Sequence, residues 1–209
     1  MSSATSEADR AGAAVTVPWV ALWEGESRVE PLRCDPASGF LRYAQEEPED
    51  RDEHGVLWMR HIGPQGQGRP LFSQTHSRRQ RQCMVSSLCQ ICGERIEPED
   101  GRLPWLLPAR EYGSRPKLVH TTGTPPTCRS CWAPAVELCP HLRTEGAKTL
   151  SVGKVVHWGV AGLLHTPGER ALRWTACGYE DSEPDVLKRL LAETRLVVLQ
   201  DVREVPLTD

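Results

Sequence analysis

The sequence predicts an α+β fold with a cysteine-held finger at its centre, flanked by mixed strand and helix segments. Three observations carry this reading. Two C-x-x-C pairs, Cys89-Gln90-Ile91-Cys92 and Cys128-Arg129-Ser130-Cys131, lie in mid-chain. Short apolar runs bounded by glycine and proline read as strands on both sides of them. Stretches such as Gln74 to Leu88 carry apolar residues at helical spacing and contain no Gly or Pro.

Taken in order, residues 1–14 form a small, polar, disordered lead-in, with Glu7 and Asp9 ahead of Arg10 and no basic-then-apolar signal profile. Residues 15–70 make an N-terminal β-rich region. Val15 to Trp23 suits a strand closed by Gly25, and Leu32 to Tyr43 suits another folded around the Pro36-Ala37-Ser38-Gly39 turn. The acidic run from Glu46 to Glu53 reads as a charged, solvated loop, Gly55 to Met59 as a buried strand, and Ile62 to Pro70 as a loop or hinge. Residues 71–145 form the finger region. A helix over Gln74 to Leu88, with Gln80, Met84 and Leu88 on one face and Val85 beside them, delivers the chain to the first pair, and Trp132 to Leu142 forms a helix after the second, with Pro134 in its first turn. Residues 146–209 form a C-terminal α+β region compatible with one compact domain built with the rest. Thr149 to Trp174 favours strands, Val186, Leu187, Leu190 and Leu191 follow Pro184 at helical spacing, and Leu196 to Leu199 reads as a last strand.

The 209-residue chain has a net charge of −3 and a pI near 6.2. That balance removes a whole-surface electrostatic case for nucleic acid, since non-specific phosphate affinity comes from summed positive charge. A local patch remains: Arg78, Arg79 and Arg81 on the predicted helix are the expected contact surface for a protein or nucleic-acid partner, against the plainer reading of a solvated helix face. The longest apolar stretch, Val155 to Leu164, is too short to span a bilayer and is interrupted by His157 and two glycines, so no membrane association is expected. A cytoplasmic location follows, where thiols stay reduced and paired cysteines read as metal ligands before disulfides.

Zn2+ prefers four soft or borderline donors in a tetrahedron, and a C-x-x-C turn lets two thiolates reach one ion. Cys89, Cys92, Cys128 and Cys131 complete such a set. Gly93 supports the first turn because the chain must reverse there, and the second pair opens a predicted helix whose N-terminus favours thiolate. Knuckle, ribbon and helix in that order describe a treble-clef-like finger, with a plain zinc ribbon as the near alternative. A closed four-thiolate shell leaves no position for water and is structural. Redox dithiols are the competing reading, but a thioredoxin-type motif needs a βαβ setting. Cys139, eight residues after Cys131 and followed by His141, reads as small core filler, with entry into the first shell, or a second ion shared with Cys83 or His120, as the alternatives. Cys34 and Cys177 lack partners at ligand spacing and read as buried thiols.

The finger resembles that of HNH endonucleases, which carry two C-x-x-C pairs around the active site. The resemblance implies a catalytic His and an Asn or second His. Here His120 is the only histidine between the pairs and the chain contains no Asn. A broader set of residues, including Asp50-Arg51-Asp52, Gly55-Val56-Leu57-Trp58, Arg79-Gln80-Arg81, Cys89-Gln90-Ile91-Cys92-Gly93, Trp105-Leu106-Leu107, Pro125-Pro126-Thr127-Cys128 and Cys139-Pro140-His141-Leu142, is similar to uncharacterised actinobacterial proteins, many from streptomycetes. That similarity implies a bacterial zinc protein and no activity.

Two further constellations could carry chemistry. The acidic run with His54 could bind a divalent ion or serve as acid and base. His157 and His165 read first as core or edge histidines, although at even separation they would face one pocket if the chain between them is extended. Trp58, Trp105 and Trp132 either pack on the finger or offer a stacking surface. The sequence thus supports a zinc-stabilised binding or regulatory protein, with two alternatives: an enzyme of a specialised biosynthetic or nucleic-acid-processing pathway whose site lies in the flanking α+β region, and a metal sensor or redox switch.

Overall fold

The computed structural model describes residues 17–29, 32–112, 119–167 and 172–207. The lead-in expected over 1–14 lies outside these. In chain order the strands are β1 (Ala21–Trp23), β2 (Ser27–Arg28), β3 (Leu32–Cys34), β4 (Leu41–Tyr43), β5 (Leu57–Trp58), β6 (His61–Ile62), β7 (Pro70–Thr75), β8 (Leu103–Pro108), β9 (Val119–Thr122), β10 (Ala147–Leu164), β11 (Arg173–Gly178) and β12 (Leu190–Glu204). The helices are α1 (Ser77–Ser86), α2 (Ala109–Tyr112), α3 (Trp132–Leu138), α4 (Pro140–Glu145) and α5 (Pro184–Lys188).

Two long antiparallel strands, β10 and β12, organise the chain, paired from Leu150↔Glu204 to Leu164↔Leu190. Their outer edges are shared. β10 pairs β8 at one end and β11 at the other, while β12 pairs β5 in parallel at Leu191 and Ala192 and β9 antiparallel at Val197 to Gln200. The six-stranded sheet therefore draws strands from the N-terminal, finger and C-terminal segments. Three two-stranded sheets complete the architecture: β1 with β7, β2 with β6, and the β3–β4 hairpin expected around Pro36 to Gly39.

The C-terminal half corrects the sequence reading. The separate strands expected over Thr149 to Trp174 are one continuous strand, β10, followed by β11. Glycine permits this: a Cβ at Gly159 would lie 2.0 Å from the Cys177 carbonyl oxygen and one at Gly162 2.1 Å from that of Leu191, so the neighbouring strands pass where no side chain fits. The ladder shifts register at both places. The helix expected through Leu191 ends at Lys188, and Leu190 and Leu191 begin β12. A short apolar run at mixed spacing does not distinguish helix from strand, and pairing with β10 decides it.

Helix α1 is shorter than expected, because Gln74 and Thr75 belong to β7. His76 caps it, its Nδ1 accepting from the Arg79 N–H at 3.4 Å, and Ser87 ends it in the left-handed region at φ 53°. Its inward face is Ser77, Gln80, Cys83 and Met84, whereas Val85 is 53% exposed. The helix expected over Trp132 to Leu142 is broken at Cys139, which is extended (φ −82°, ψ 115°) ahead of Pro140, as the proline ring requires of its predecessor. At the N-terminus the strand expected over Val15 to Trp23 is confined, among the described residues, to β1.

Strand β8 links core and finger by simple alternation. Trp105 and Leu107 point into the cluster with Met84, Tyr112, Leu150, Val152, Val197 and Leu199. Leu106, on the opposite face, packs with Trp132, Ala135 and Leu142. The finger helices thus sit on the far side of β8 from the main core. A third cluster gathers Val56, Trp58, Val160, Cys177, Leu187, Leu190 and Ala192.

Candidate metal centre

The first C-x-x-C turn is held by backbone bonds Cys89 N to Glu94 O and Gly93 N to Cys89 O, both 2.8 Å. Gly93 has φ +78°, and a Cβ there would lie 2.9 Å from the Trp19 ring, so glycine is required both by conformation and by the packed indole. The N-terminal chain docks here. Trp19 N donates to Ile91 O at 2.9 Å, Val20 N to Gln90 O at 3.2 Å, and His76 N to Val20 O at 2.8 Å. The second pair lies on a 3-10 turn, Arg129–Cys131, that leads into α3 as expected. Gln90 joins the two turns: its N–H donates to Pro126 O at 3.0 Å, and its side-chain amide to Pro125 O at 3.1 Å and Thr127 Oγ1 at 2.9 Å.

These contacts bring the sulfur atoms of Cys89, Cys92, Cys128 and Cys131 within 4.8 Å of one another, a group that could hold a metal ion. Cys92 Sγ and Cys128 Sγ are 3.9 Å apart. A tetrahedron with metal–sulfur bonds of about 2.3 Å separates its sulfurs by about 3.8 Å, so the donor set fits. Cys89 Sγ also accepts from the N–H groups of Ile91 and Cys128, each at 3.4 Å, and Ser130 Oγ lies 3.3 Å from Cys128 Sγ. Burial pushes the Cys89 thiol up to about 11 and raises that of Cys131. Burial acts the same way on Cys128, but hydrogen bonding from Ser130 and the neighbouring thiols holds it below the ordinary thiol range. Four crowded thiols resist ionising together on their own; a divalent cation removes that penalty.

The strands between the pairs depart from the expected ribbon. β8 pairs β10 and β9 pairs β12, and they do not pair with each other. The long central strands offer free edges that capture both. His120, the histidine the nuclease resemblance singles out, is buried in β9 beside the Tyr112 ring, with ring centroids 5.6 Å apart. Cys139 packs on the finger cluster around Trp132 and His141 is exposed near Glu145, so the core-filler reading of Cys139 holds and neither belongs to the four-donor group.

The three arginines of α1 part company. Arg78 is exposed. Arg81 is half-buried, with its guanidinium carbon 5.0 Å from the Trp58 ring centre and Nη1 donating to Glu49 O at 3.2 Å. Arg79 is buried and paired with buried Glu26: Nη2 donates to Glu26 Oε2 at 2.8 Å and to Ala21 O at 2.6 Å, and Nη1 to Glu26 Oε1. Helical periodicity accounts for the split, since 78 and 79 lie about 100° apart on the helix surface.

The acidic run is solvated at Glu46, Glu47, Glu49 and Glu53, as its composition suggests, but anchored at Asp50 and Asp52. Asp52 is buried and accepts from His54 N and Val56 N at 3.0 Å, Trp58 Nε1 at 3.1 Å and Tyr179 Oη at 3.0 Å. Asp50 is buried against Arg60, and Glu53 bonds Arg195, which draws its carboxyl down to about 2. His54 stacks on Tyr179 at 3.7 Å. These groups satisfy one another, which is a structural role. His157 and His165 do not share a pocket: at about 3.3 Å per residue, roughly 25 Å of strand separates them. His157 is exposed, and His165 lies beside Cys34. Cys34, expected to be buried, is exposed, while Cys177 is buried. Trp58, Trp105 and Trp132 are all buried, so they pack rather than present a surface.

No protein-family model matches the chain, and comparison with curated proteins and with solved structures gives no match. Among the described residues no helix is long and apolar enough to cross a membrane.

Proposed function

We propose that this chain is a zinc-stabilised binding or regulatory protein of the cytoplasm, in which Cys89, Cys92, Cys128 and Cys131 hold one structural Zn2+ between a C-x-x-C knuckle and the head of a helix, the two ends of a treble clef whose ribbon strands pair with the central sheet instead. The convergence of the four sulfurs carries the reading. A shell of four thiolates has no open position for a substrate or water, and the site lies between backbone segments that it ties together, so the ion acts as a clamp. In a reducing compartment this clamp does the work a disulfide does elsewhere. The partner, a protein or a nucleic acid, meets the outward side of α1 through Arg78 with Arg81 at its flank. Arg79 supports that surface from below through Glu26.

Metal analysis of protein purified under reducing conditions tests the scaffold: one equivalent of zinc with an all-sulfur absorption spectrum is expected, and a folded, metal-free protein overturns it. For the partner surface, Arg78→Glu is compared with wild type for binding to duplex and single-stranded oligonucleotides over a salt series. Weaker binding with a shallower salt slope supports nucleic acid; no binding by either protein leaves a protein partner as the surviving form.

A further inference from the structure

We propose that Cys34 and His165 form a second, surface thiol site that reacts with small, negatively charged disulfides to give a mixed disulfide on Cys34. The two residues come from distant parts of the chain. Cys34 ends β3 on the exposed hairpin, and His165 directly follows β10, its N–H donating to Arg189 O at 2.9 Å. Cys34 Sγ lies 3.4 Å from His165 Nδ1 and 3.6 Å from Nε2, so whichever ring nitrogen is unprotonated in the neutral imidazole is within reach of the thiol proton. The imidazole has no other hydrogen-bond partner among the described residues, which leaves it available as a base.

Cations outnumber anions around the pair. Asp35, next to Cys34, is held ionised by bonds from Ser38 and Ala37 and faces Arg42, and its carbonyl oxygen accepts from the Cys34 thiol at 3.6 Å. A Cβ at Gly39 would lie 3.5 Å from His165 Nδ1 and 3.2 Å from Arg189 Cδ, so the imidazole and the Arg189 stem both reach the Gly39 turn. Lys188 Nζ stands 4.9 Å over the Phe40 ring on the same hairpin. Lys188 is partly compensated by Asp185 at 3.3 Å. Arg189 gives its Nε to the Asp185 carbonyl oxygen at 3.1 Å and meets no carboxylate among the described residues. Cations beside an accessible thiol favour the thiolate and attract anionic reagents.

The step balances as an exchange. The thiol proton passes to His165, the Cys34 thiolate attacks one sulfur of R–S–S–R, and the Cys34 Sγ–S bond forms as the reagent's S–S bond breaks. The departing RS⁻ takes the proton from the imidazolium. Cys34 is oxidised and half of the reagent is reduced. The site is independent of the four-cysteine group, so its failure leaves the metal reading untouched.

The test uses the full chain loaded with zinc, its metal content checked at the end. Glutathione disulfide, which is anionic, and cystamine, which is cationic, are the probes, and peptide mapping by mass spectrometry reads the rate at each cysteine near neutral pH. Cys34 is expected to react roughly tenfold faster than half-buried Cys139, and faster with glutathione disulfide than with cystamine. His165→Gln should slow Cys34 by about tenfold, while cystamine becomes the faster probe in Lys188→Glu/Arg189→Glu. Equal rates at Cys34 and Cys139, or a wild-type rate in His165→Gln, overturn the site; equal rates with the two probes overturn the anionic preference.

Discussion

Gln80 reads the backbone of Arg195 twice: its Oε1 accepts from Arg195 N at 2.8 Å and its Nε2 donates to Arg195 O at 3.0 Å. The reason lies in the edge of β12. That edge is paired by β5 at Leu191 and Ala192 and by β9 from Val197 to Gln200, and Arg195 falls in the gap between them. A buried peptide group without a partner is costly, and the Gln80 amide takes the place of the missing strand. The same Nε2 also donates to Gly123 O at 2.8 Å, so one side chain locks α1 to both β12 and the segment after β9.

Gln80→Leu keeps the side-chain volume close and removes all three bonds. It leaves both Arg195 backbone groups unpaired and should cost about 2–4 kcal/mol, read as a lower midpoint in urea unfolding. A change within about 0.5 kcal/mol would mean that water replaces the amide at no penalty.

Chelation should unfold more than the finger. Trp19 and Val20 are bonded to the first C-x-x-C turn, and Leu106 joins the finger cluster to β8. Metal binding supplies on the order of 10 kcal/mol in finger peptides, as much as a whole domain's stability. Cys89→Ser or EDTA treatment is therefore expected to open Trp19 and Val20 to hydrogen exchange together with residues 89–93. Exchange confined to 89–93 would show that the N-terminal docking stands without the ion.

Arg78→Ala and Arg79→Ala, one residue apart, should behave oppositely. Arg78 is exposed and its loss should move stability by no more than about 0.5 kcal/mol. Arg79→Ala strands the buried Glu26 carboxylate, which burial alone disfavours but Arg79 holds ionised with its carboxyl below the ordinary value. The expected cost is about 3–5 kcal/mol. Arg79→Met with Glu26→Leu should recover much of it, because no unpaired charge remains. Thermal melts of the three variants decide this.

Acid should destabilise the protein before its carboxylates titrate. His61 and His76, with ring centroids 4.6 Å apart, are both held near 4 from an ordinary 6.5, chiefly by burial, with Arg28 and Arg79 adding to it and Glu26 opposing. The unfolded chain then takes up protons that the folded one refuses, so their contribution is complete above 6.5 and falls away as pH drops toward about 4. At about 1.4 kcal/mol per pKa unit, each ring is worth roughly 1–2 kcal/mol by about pH 5. His61→Phe is the cleaner variant, since His76 also caps α1. Urea midpoints between about pH 7 and pH 5 should slope less in the variant; an unchanged slope would locate the acid sensitivity elsewhere.

What the amino-acid order determined by itself was local. Two C-x-x-C spacings marked the four donors, because a thiolate pair two residues apart needs only a turn to reach one ion. The turn at Pro36 to Gly39, the buried Val56 to Met59 run and the helix ending just before Cys89 were equally legible from turn chemistry and periodicity. Tertiary structure decided the rest, because it depends on which distant groups meet. Long-range pairing made one strand of β10 and drew Leu190 and Leu191 into β12. Glu26, far along the chain, turned Arg79 from a surface cation into a buried one. Tyr179 and Arg195 anchored an acidic loop, and Cys34 met His165, which lies 131 residues further along the chain. Sequence spacing carries no signal for such contacts: they arise when buried charges and backbone groups must find partners once water has been excluded.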